Sequence, residues 1–307
     1  MKGAIAKKIL RAGRRILPFC LIASIATAVV FFPRQEKSAE EEKRVVRVWN
    51  VDTFEGGKGS RTAFLKRAAA VLEKKDDSVY YLVSSYTPEG AAAAFEEGIL
   101  PDALSFGVGL SLYTEACLPL SRTFAGGEAG GICLAYPWCR GGYFLFSLSD
   151  DFTQKGNTVI SEGGCNLARV AACLEGIKGD AHDSLSAYVE FLNGKYRYLL
   201  GTQRDVCRLS SRGVSFYSCP LTEFNDLYQY FSVLSAEKRK DCEALLDVLL
   251  SVEVQGALSE IGMYPVAGGT AKRTVSVFSD GKALEKLKDT SVDRDGAKNL
   301  VKNLKNI

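Results

Sequence analysis

The chain has 307 residues, 47% hydrophobic and 24% charged, which excludes a disordered chain and leaves enough apolar material for one or two sizeable cores. Its 39 Lys+Arg nearly balance its 36 Asp+Glu, and much of the formal net charge of +3 lies in Lys2, Lys7, Lys8, Arg11, Arg14 and Arg15. The remainder is close to neutral and offers no basic surface for nucleic acid.

The basic start runs into ILPFCLIASIATAVVFF, Ile16 to Phe32, which carries no charge. That order is the order of a signal sequence or membrane anchor, and positive charge ahead of the apolar run places the rest of the chain outside the cell. Ala26-Thr27-Ala28 supplies small residues for a signal peptidase, yet the run continues to Phe32, near the lower length for crossing a bilayer, so cleaved and anchored forms are both open. Pro18 and Phe19 ahead of Cys20 argue against a lipoprotein. Residues 1–33 are therefore read as signal or anchor, and 34–44, RQEKSAEEEKR, as a solvated tether.

The folded part begins near Val45. VVRVWN is a strand, and the loop DTFEGGKG leads to Ser60, which caps a helix with Phe64, Leu65, Ala68, Val71 and Leu72 at helical spacing. The loop is not a Walker phosphate loop: Asp52 stands where its first glycine belongs, and Gly59 stands where the metal-binding hydroxyl belongs. The dinucleotide fingerprint fails at Thr62. Val79–Ser85 is the next strand, PEGAAAAFEEG the next helix, and Ala103–Phe106 a third short strand. Such alternation implies parallel strands joined by right-handed helical crossovers, with ligands at the carboxyl ends of the strands. Asn50, Asp52, Thr53, Phe54, Glu55, Ser85, Tyr86, Thr87, Phe106, Gly107 and Gly109 fall along that rim.

Gly130–Ser149 is aromatic, extended and bounded by glycine, and is read as carrying the chain into a second lobe. That lobe would hold NTVISEGG, a helix from Asn166, a helix from Ser184 and the strands Lys195–Gly201 and Gly213–Pro220. Asp226–Ser235 would return the chain, ahead of the long helix EKRKDCEALLDVLLSVEVQGALSEI and its stop GMYPV.

Catalytic and metal signatures are sparse. The lone histidine, His182, lies just before a helix with Asp183 or Ser184 as cap, and no other histidine could complete a Ser-His-Asp triad. There is no G-x-S-x-G elbow and no C-x-x-C. Apart from Cys20, the eight cysteines are read first as buried thiols, with disulfides left open.

VWNVDTFEGGKGS, EEGILPDALSFG, FLNGKYRYLLGTQRD and above all LLDVLLSVEVQGALSEIGMYPV fall in one order between Val45 and Val266. In that order they resemble the extracellular solute-binding proteins of carbohydrate-type ABC transporters, the family that includes the maltose-binding proteins. The resemblance implies an α/β, two-lobed, type II periplasmic-binding-protein-like fold with hinge strands. Its first lobe would span 45–135 and 226–266, its second 136–225, with a helical tail over 267–307.

The resemblance further implies a receptor that closes on a small solute, a sugar or oligosaccharide first, and delivers it to an ABC permease at the outer face of the cytoplasmic membrane. It implies a monomer without cofactor, catalytic activity or nucleic-acid partner. The alternative is a membrane-anchored ligand sensor or interaction module using the same fold. The resemblance marks as ligand-facing Trp49, Asn50, Asp52 and Glu55 on the first loop, with Tyr86 and Phe106 on the rim. It also marks Trp138 and Arg140 on the crossover, Gln203, Arg204 and Asp205 in GTQRD, Tyr228 and Tyr230 on the return strand, and Tyr264. Structural readings stand beside these: Trp49 as core, Arg204 and Asp205 as a pair or cap, and one of the two tyrosines as packing. GTQRD holds no tryptophan, and the second lobe is short for the family.

Overall fold

The computed structural model describes residues 43–110, 116–152, 156–269, 271–279, 284–285 and 294–303. The chain divides into Met1–Lys43 and Arg44–Ile307, and the account below concerns the second unit. The expected signal segment and nearly all of the tether lie outside the described residues. No helix among the described residues is long and apolar enough to cross a membrane.

Strands β1 (Arg44–Val51), β2 (Val79–Tyr86) and β3 (Ala103–Phe106) alternate with helices α1 (Arg61–Glu73) and α2 (Pro88–Glu96). The helix starts are built as their sequences dictate. Ser60 Oγ accepts from the Ala63 N–H, and Thr87 Oγ1 accepts from the Gly90 N–H with Pro88 in the first turn. Phe64, Leu65, Ala68 and Ala69 turn one face of α1 into the core. A small hairpin, β4 (Glu128–Ala129) and β5 (Ile132–Cys133), leads to β6 (Tyr136–Arg140).

The second lobe follows as β7 (Tyr143–Ser147), β8 (Thr158–Glu162), α3 (Ala168–Glu175), β9 (Gly179–Asp183), α4 (Ser184–Leu192), β10 (Tyr198–Thr202), α5 (Gln203–Ser211) and β11 (Tyr217–Pro220). The chain returns through β12 (Tyr228–Val233), then α6 (Arg239–Leu249), α7 (Val252–Ala257) and, in the tail, α8 (Arg294–Asn303), which packs on α3.

Two five-stranded sheets result, ordered β2-β1-β3-β12-β6 and β11-β7-β10-β8-β9. In the first, β1 runs parallel to β2 and β3 (Val48 opposite Val83, Trp49 opposite Leu104), and β12 inserts antiparallel beside β3. Every residue of β3 and β12 is buried, as central strands covered on both faces must be. In the second sheet β10 pairs parallel with β8 and antiparallel with β7. One face of it holds a separate core of Phe146, Val159, Ala187, Tyr188, Phe191, Tyr196, Leu199 and Leu209.

Strand β6 belongs to the first sheet, so the chain crosses at Gly141–Gly142 and not at residue 136. The outgoing and returning segments are bonded to each other. Gly141 N–H donates to Leu227 O (2.5 Å), Leu221 N–H to Tyr143 O (2.9 Å), and Asn225 Nδ2 to Gly141 O (3.1 Å). Tyr143 Oη donates to buried Asp226 (2.6 Å) and accepts from Leu167 N–H (3.0 Å), which also donates to Asp226 (3.1 Å). Burial beside the Asp226 carboxylate raises the Tyr143 phenol well above its ordinary pKa, so it stays a proton donor.

Two further departures have local causes. GDAHD forms the edge strand β9, pairing with β8 while its Asp183 also caps α4; the acceptor role of that carboxylate was readable, the edge pairing was not. The long helix expected before GMYPV is divided at Ser251, whose Oγ accepts from Val254 N–H and so starts α7 afresh.

Tyr143→Phe should lower the unfolding free energy by about 1 kcal/mol, because it removes one bond each from Asp226 and Leu167 N–H, which stay bonded to each other, and a denaturant titration measures it. Glu223, on the returning segment, accepts from Lys272 (2.6 Å) and pairs with Arg273, which hold its carboxyl down from the ordinary 4.5 to about 2. A depressed folded-state pKa contributes stability that is complete above pH 4.5 and disappears as pH falls toward about 2. Glu223→Gln should therefore remove that part of the acid sensitivity, so that wild type and variant converge in acid unfolding curves.

Candidate functional site

The carboxyl end of β1 is fixed from below. Asn50, fully buried, accepts at Oδ1 from Ser105 Oγ (2.9 Å) and Gln229 Nε2 (3.2 Å), and donates from Nδ2 to Asp52 (3.0 Å) and Thr62 (3.0 Å). Trp138 Nε1 donates to the same Ser105 hydroxyl (3.0 Å). The loop that leaves this hub, residues 52–59, borders an open cavity of about 480 Å³ lined by Asp52, Thr53, Phe54, Glu55, Lys58 and Arg61 from the first lobe and by Gly164 and Arg204 from the second.

Arg61, the first residue of α1, is only 3% exposed. Its Nε pairs with Asp52 (2.8 Å), Nη2 donates to Phe54 O, and its guanidinium lies 4.3 Å over the Phe54 ring. The lobes meet directly at this place. Glu55 pairs with Arg204 and accepts from Ser184 Oγ (3.2 Å), while Cys165 N–H donates to Thr53 O (2.8 Å). Gly164 has φ +59° and would bring a Cβ to 2.7 Å from Thr53 O, so glycine is needed there both for conformation and for space. Gln203, 1% exposed, donates to Glu55 O (2.9 Å) and accepts from Gly142 N–H (3.1 Å), joining the hinge turn to the first-lobe loop.

Of the residues marked by the sequence, Asp52, Glu55 and Arg204 come together on the cavity. The others are placed elsewhere. Trp49 stacks on Tyr86 (4.1 Å) and Phe95 (5.7 Å) beneath α2, which draws Tyr86 off the cleft as well. Asn50 is the hub, and Trp138 is fully buried against Phe64 (5.9 Å). Phe106 packs with Tyr230 (6.3 Å) and Phe278 (6.1 Å), and Tyr228 and Tyr230 gather on Phe124. Arg140 donates to Pro265 O (2.8 Å) and Gly268 O (3.2 Å) with its guanidinium over the Tyr264 ring (5.5 Å). Asp205 accepts from Thr202 N–H (3.0 Å) in the capping box of α5 and faces Arg208 (3.3 Å); burial nonetheless raises its pKa. These side chains are occupied because both lobes need polar and aromatic anchors at their inner edges, and the cleft competes for the same residue types.

Sequence reading left Lys58 and Arg61 unmarked. The available signal was electrostatic: two cations flank the Ser60 cap of a helix with no acidic residue in its first turn, where the helix dipole favours anions.

Among the described residues no three His, Cys, Asp or Glu side chains gather as metal ligands would. Buried thiols are hard to ionise here: desolvation pushes Cys242 up to about 12 and Cys117 up to about 11.

No family model matches the chain, and no curated protein matches it in sequence. Solved structures do. The chain is similar to the maltose-maltodextrin binding protein of Alicyclobacillus acidocaldarius, with TM-score 0.58 and 14% identity over 85% of this chain and 100% of that one. It is similar to the sugar-binding protein MalE of Xanthomonas citri, with TM-score 0.53 and 13% identity over 85% and 96%. It is also similar to iron-bound HitA of Pseudomonas aeruginosa, with TM-score 0.51 and 14% identity over 85% and 99%. At these identities the likeness is one of fold: the chain has the two-lobed α/β fold of the periplasmic-binding-protein class, as the sequence led one to expect.

Glu55→Ala removes the carboxylate that Arg204 and Ser184 hold, so opening of the lobes should become easier by roughly 1 kcal/mol, given the half-exposed setting of the pair. Hydrogen exchange at the Cys165 amide, which is bonded across the cleft to Thr53, should accelerate about fivefold.

Proposed function

We propose that this chain is a solute-binding protein whose lobes close on a small solute, and that it acts outside the cell by handing that solute to an ABC permease. The observation that carries the reading is the cavity at the carboxyl end of β1, walled by both lobes beside a two-segment hinge. Ligands of open α/β sheets bind at that end, and a volume of about 480 Å³ falls within the roughly 300–1,000 Å³ of small-molecule sites. Similar structures include proteins named for maltose, maltodextrin and other sugars, which supports a sugar or sugar derivative as the first solute class to try.

Closure needs no new fold. A solute that contacts Asp52–Arg61 on one lobe and Gly164 or Arg204 on the other binds the closed arrangement better than the open one and shifts the population toward it.

A thermal-shift screen of the full-length protein against neutral sugars, sugar acids, sugar phosphates, amino acids and polyamines tests this. A true solute raises the melting temperature as its concentration passes the dissociation constant, contributing about 2.7 kcal/mol at a hundredfold excess over Kd. Absence of any shift across all these classes, in protein that unfolds cooperatively, would overturn the solute-binding reading.

A further inference from the structure

Resting on that solute-binding reading, we infer that the cavity takes an anionic solute, one bearing a carboxylate or phosphate, held by Lys58, Arg61 and Arg204.

The first reason is an unfilled hydrogen bond. Arg61 lines the cavity and is almost wholly buried, yet its Nη1 has no hydrogen-bond partner; Thr53 Oγ1, on the same wall, is buried and lacks one too. A buried guanidinium N–H left without an acceptor is costly, and an oxyanion is the acceptor that suits it best.

Charge is the second reason. The cavity is lined by Lys58, Arg61 and Arg204 against Asp52 and Glu55. Asp52 is engaged by Arg61 and Glu55 by Arg204, which leaves Lys58 without an acidic partner within ion-pair distance among the described residues. The site is therefore one positive charge in excess. The amino end of α1, with no acidic residue in its first turn, adds the positive end of a helix dipole at the same wall.

The third reason is a missing platform. Neutral sugars bind through aromatic faces as well as hydroxyl contacts. Here Phe54 is the cavity's aromatic, and the Arg61 guanidinium covers its ring. Both tryptophans are inside the first lobe.

In the structure Arg204 is held by Glu55 from the opposite lobe. An incoming oxyanion meets exposed Lys58 first and reaches the buried Arg61 Nη1 with a local shift of the wall, and the guanidinium of Arg204 has donors enough to engage it while releasing or sharing Glu55.

Isothermal titration of the full-length protein with glucuronate, glucose 6-phosphate, glucose, maltose and spermidine tests the inference. Glucuronate or glucose 6-phosphate should bind, glucose, maltose and spermidine should not, and the two acids separate carboxylate from phosphate preference. Lys58 is exposed, so Lys58→Ala leaves the fold intact; it should weaken the anion about tenfold, the scale of one charge-assisted hydrogen bond. Salt near 1 M, where the Debye length is about 3 Å, should weaken it as well. Arg61→Lys, with folding checked by circular dichroism, should reduce binding again. Equal binding of maltose, or anion binding indifferent to Lys58→Ala and to salt, overturns the anionic assignment and leaves a solute receptor standing. Binding of no solute from any class overturns both.

Discussion

The Asn50 hub is the constraint on which the site depends. One carboxamide ties β1 to β3 through Ser105 and to β12 through Gln229, and ties the loop and helix that follow through Asp52 and Thr62. Asn50, Ser105, Gln229 and Thr62 are buried while Asp52 reaches solvent, and in a medium of low dielectric a satisfied network resists departure because that leaves a polar atom without a partner. The direction in which residues 52–59 leave the sheet is set by that network. Asp52, held by the same amide, in turn fixes the Nε edge of Arg61 and leaves Nη1 as the unengaged corner.

The second lobe is held to that loop by contacts of a different kind. Gln203 reaches the backbone of both the hinge turn and the Glu55 loop, and Gly164 allows Cys165 to donate to Thr53. These are backbone-directed bonds that specify distance without specifying a solute. The charged contact, Glu55 with Arg204, lies between half-exposed side chains and is worth little by itself. The contact between the lobes is thus precise in geometry and shallow in energy. On the proposed function, such a balance would let a modest differential affinity move the lobes, since a ligand shifts an equilibrium only by what it gains in one state over the other.

Much of the first lobe was legible in sequence because its signals are local. The Ser60 and Thr87 caps, the helical spacing of Phe64, Leu65 and Ala68, and the short apolar strand Ala103–Phe106 each declare themselves within a few residues. The site was less so. Trp49, Trp138, Tyr228 and Tyr230 have the composition of a sugar platform, but aromatic residues serve cores as readily as clefts, and sequence does not say which face of a central strand meets solvent. β12 is covered on both faces, so period-two patterning along Tyr228–Val233 carries no inside and outside. Asp52 and Glu55 were marked because they sit on the loop after β1, and Arg204 because it follows the end of β10 directly, at the start of α5. Arg61 was left unmarked because it lies well beyond the end of the strand, past the loop, and sequence does not show that its side chain folds back onto Asp52 and Phe54.

A cation at the amino end of a helix opposes the helix dipole. Asp52 compensates one edge of Arg61 and Phe54 one face, and Lys58 adds a second positive charge at the same helix end. An arrangement in which like charges accumulate against a dipole of the same sign is stable only because the surrounding structure over-determines it, through Asn50 below and the Gly57–Gly262 approach beside it, where an added Cβ would collide with backbone. An anion held in the cavity would offset the like charges and the helix dipole together. The rigidity built into the first lobe is what keeps that unrelieved charge in place until the solute arrives.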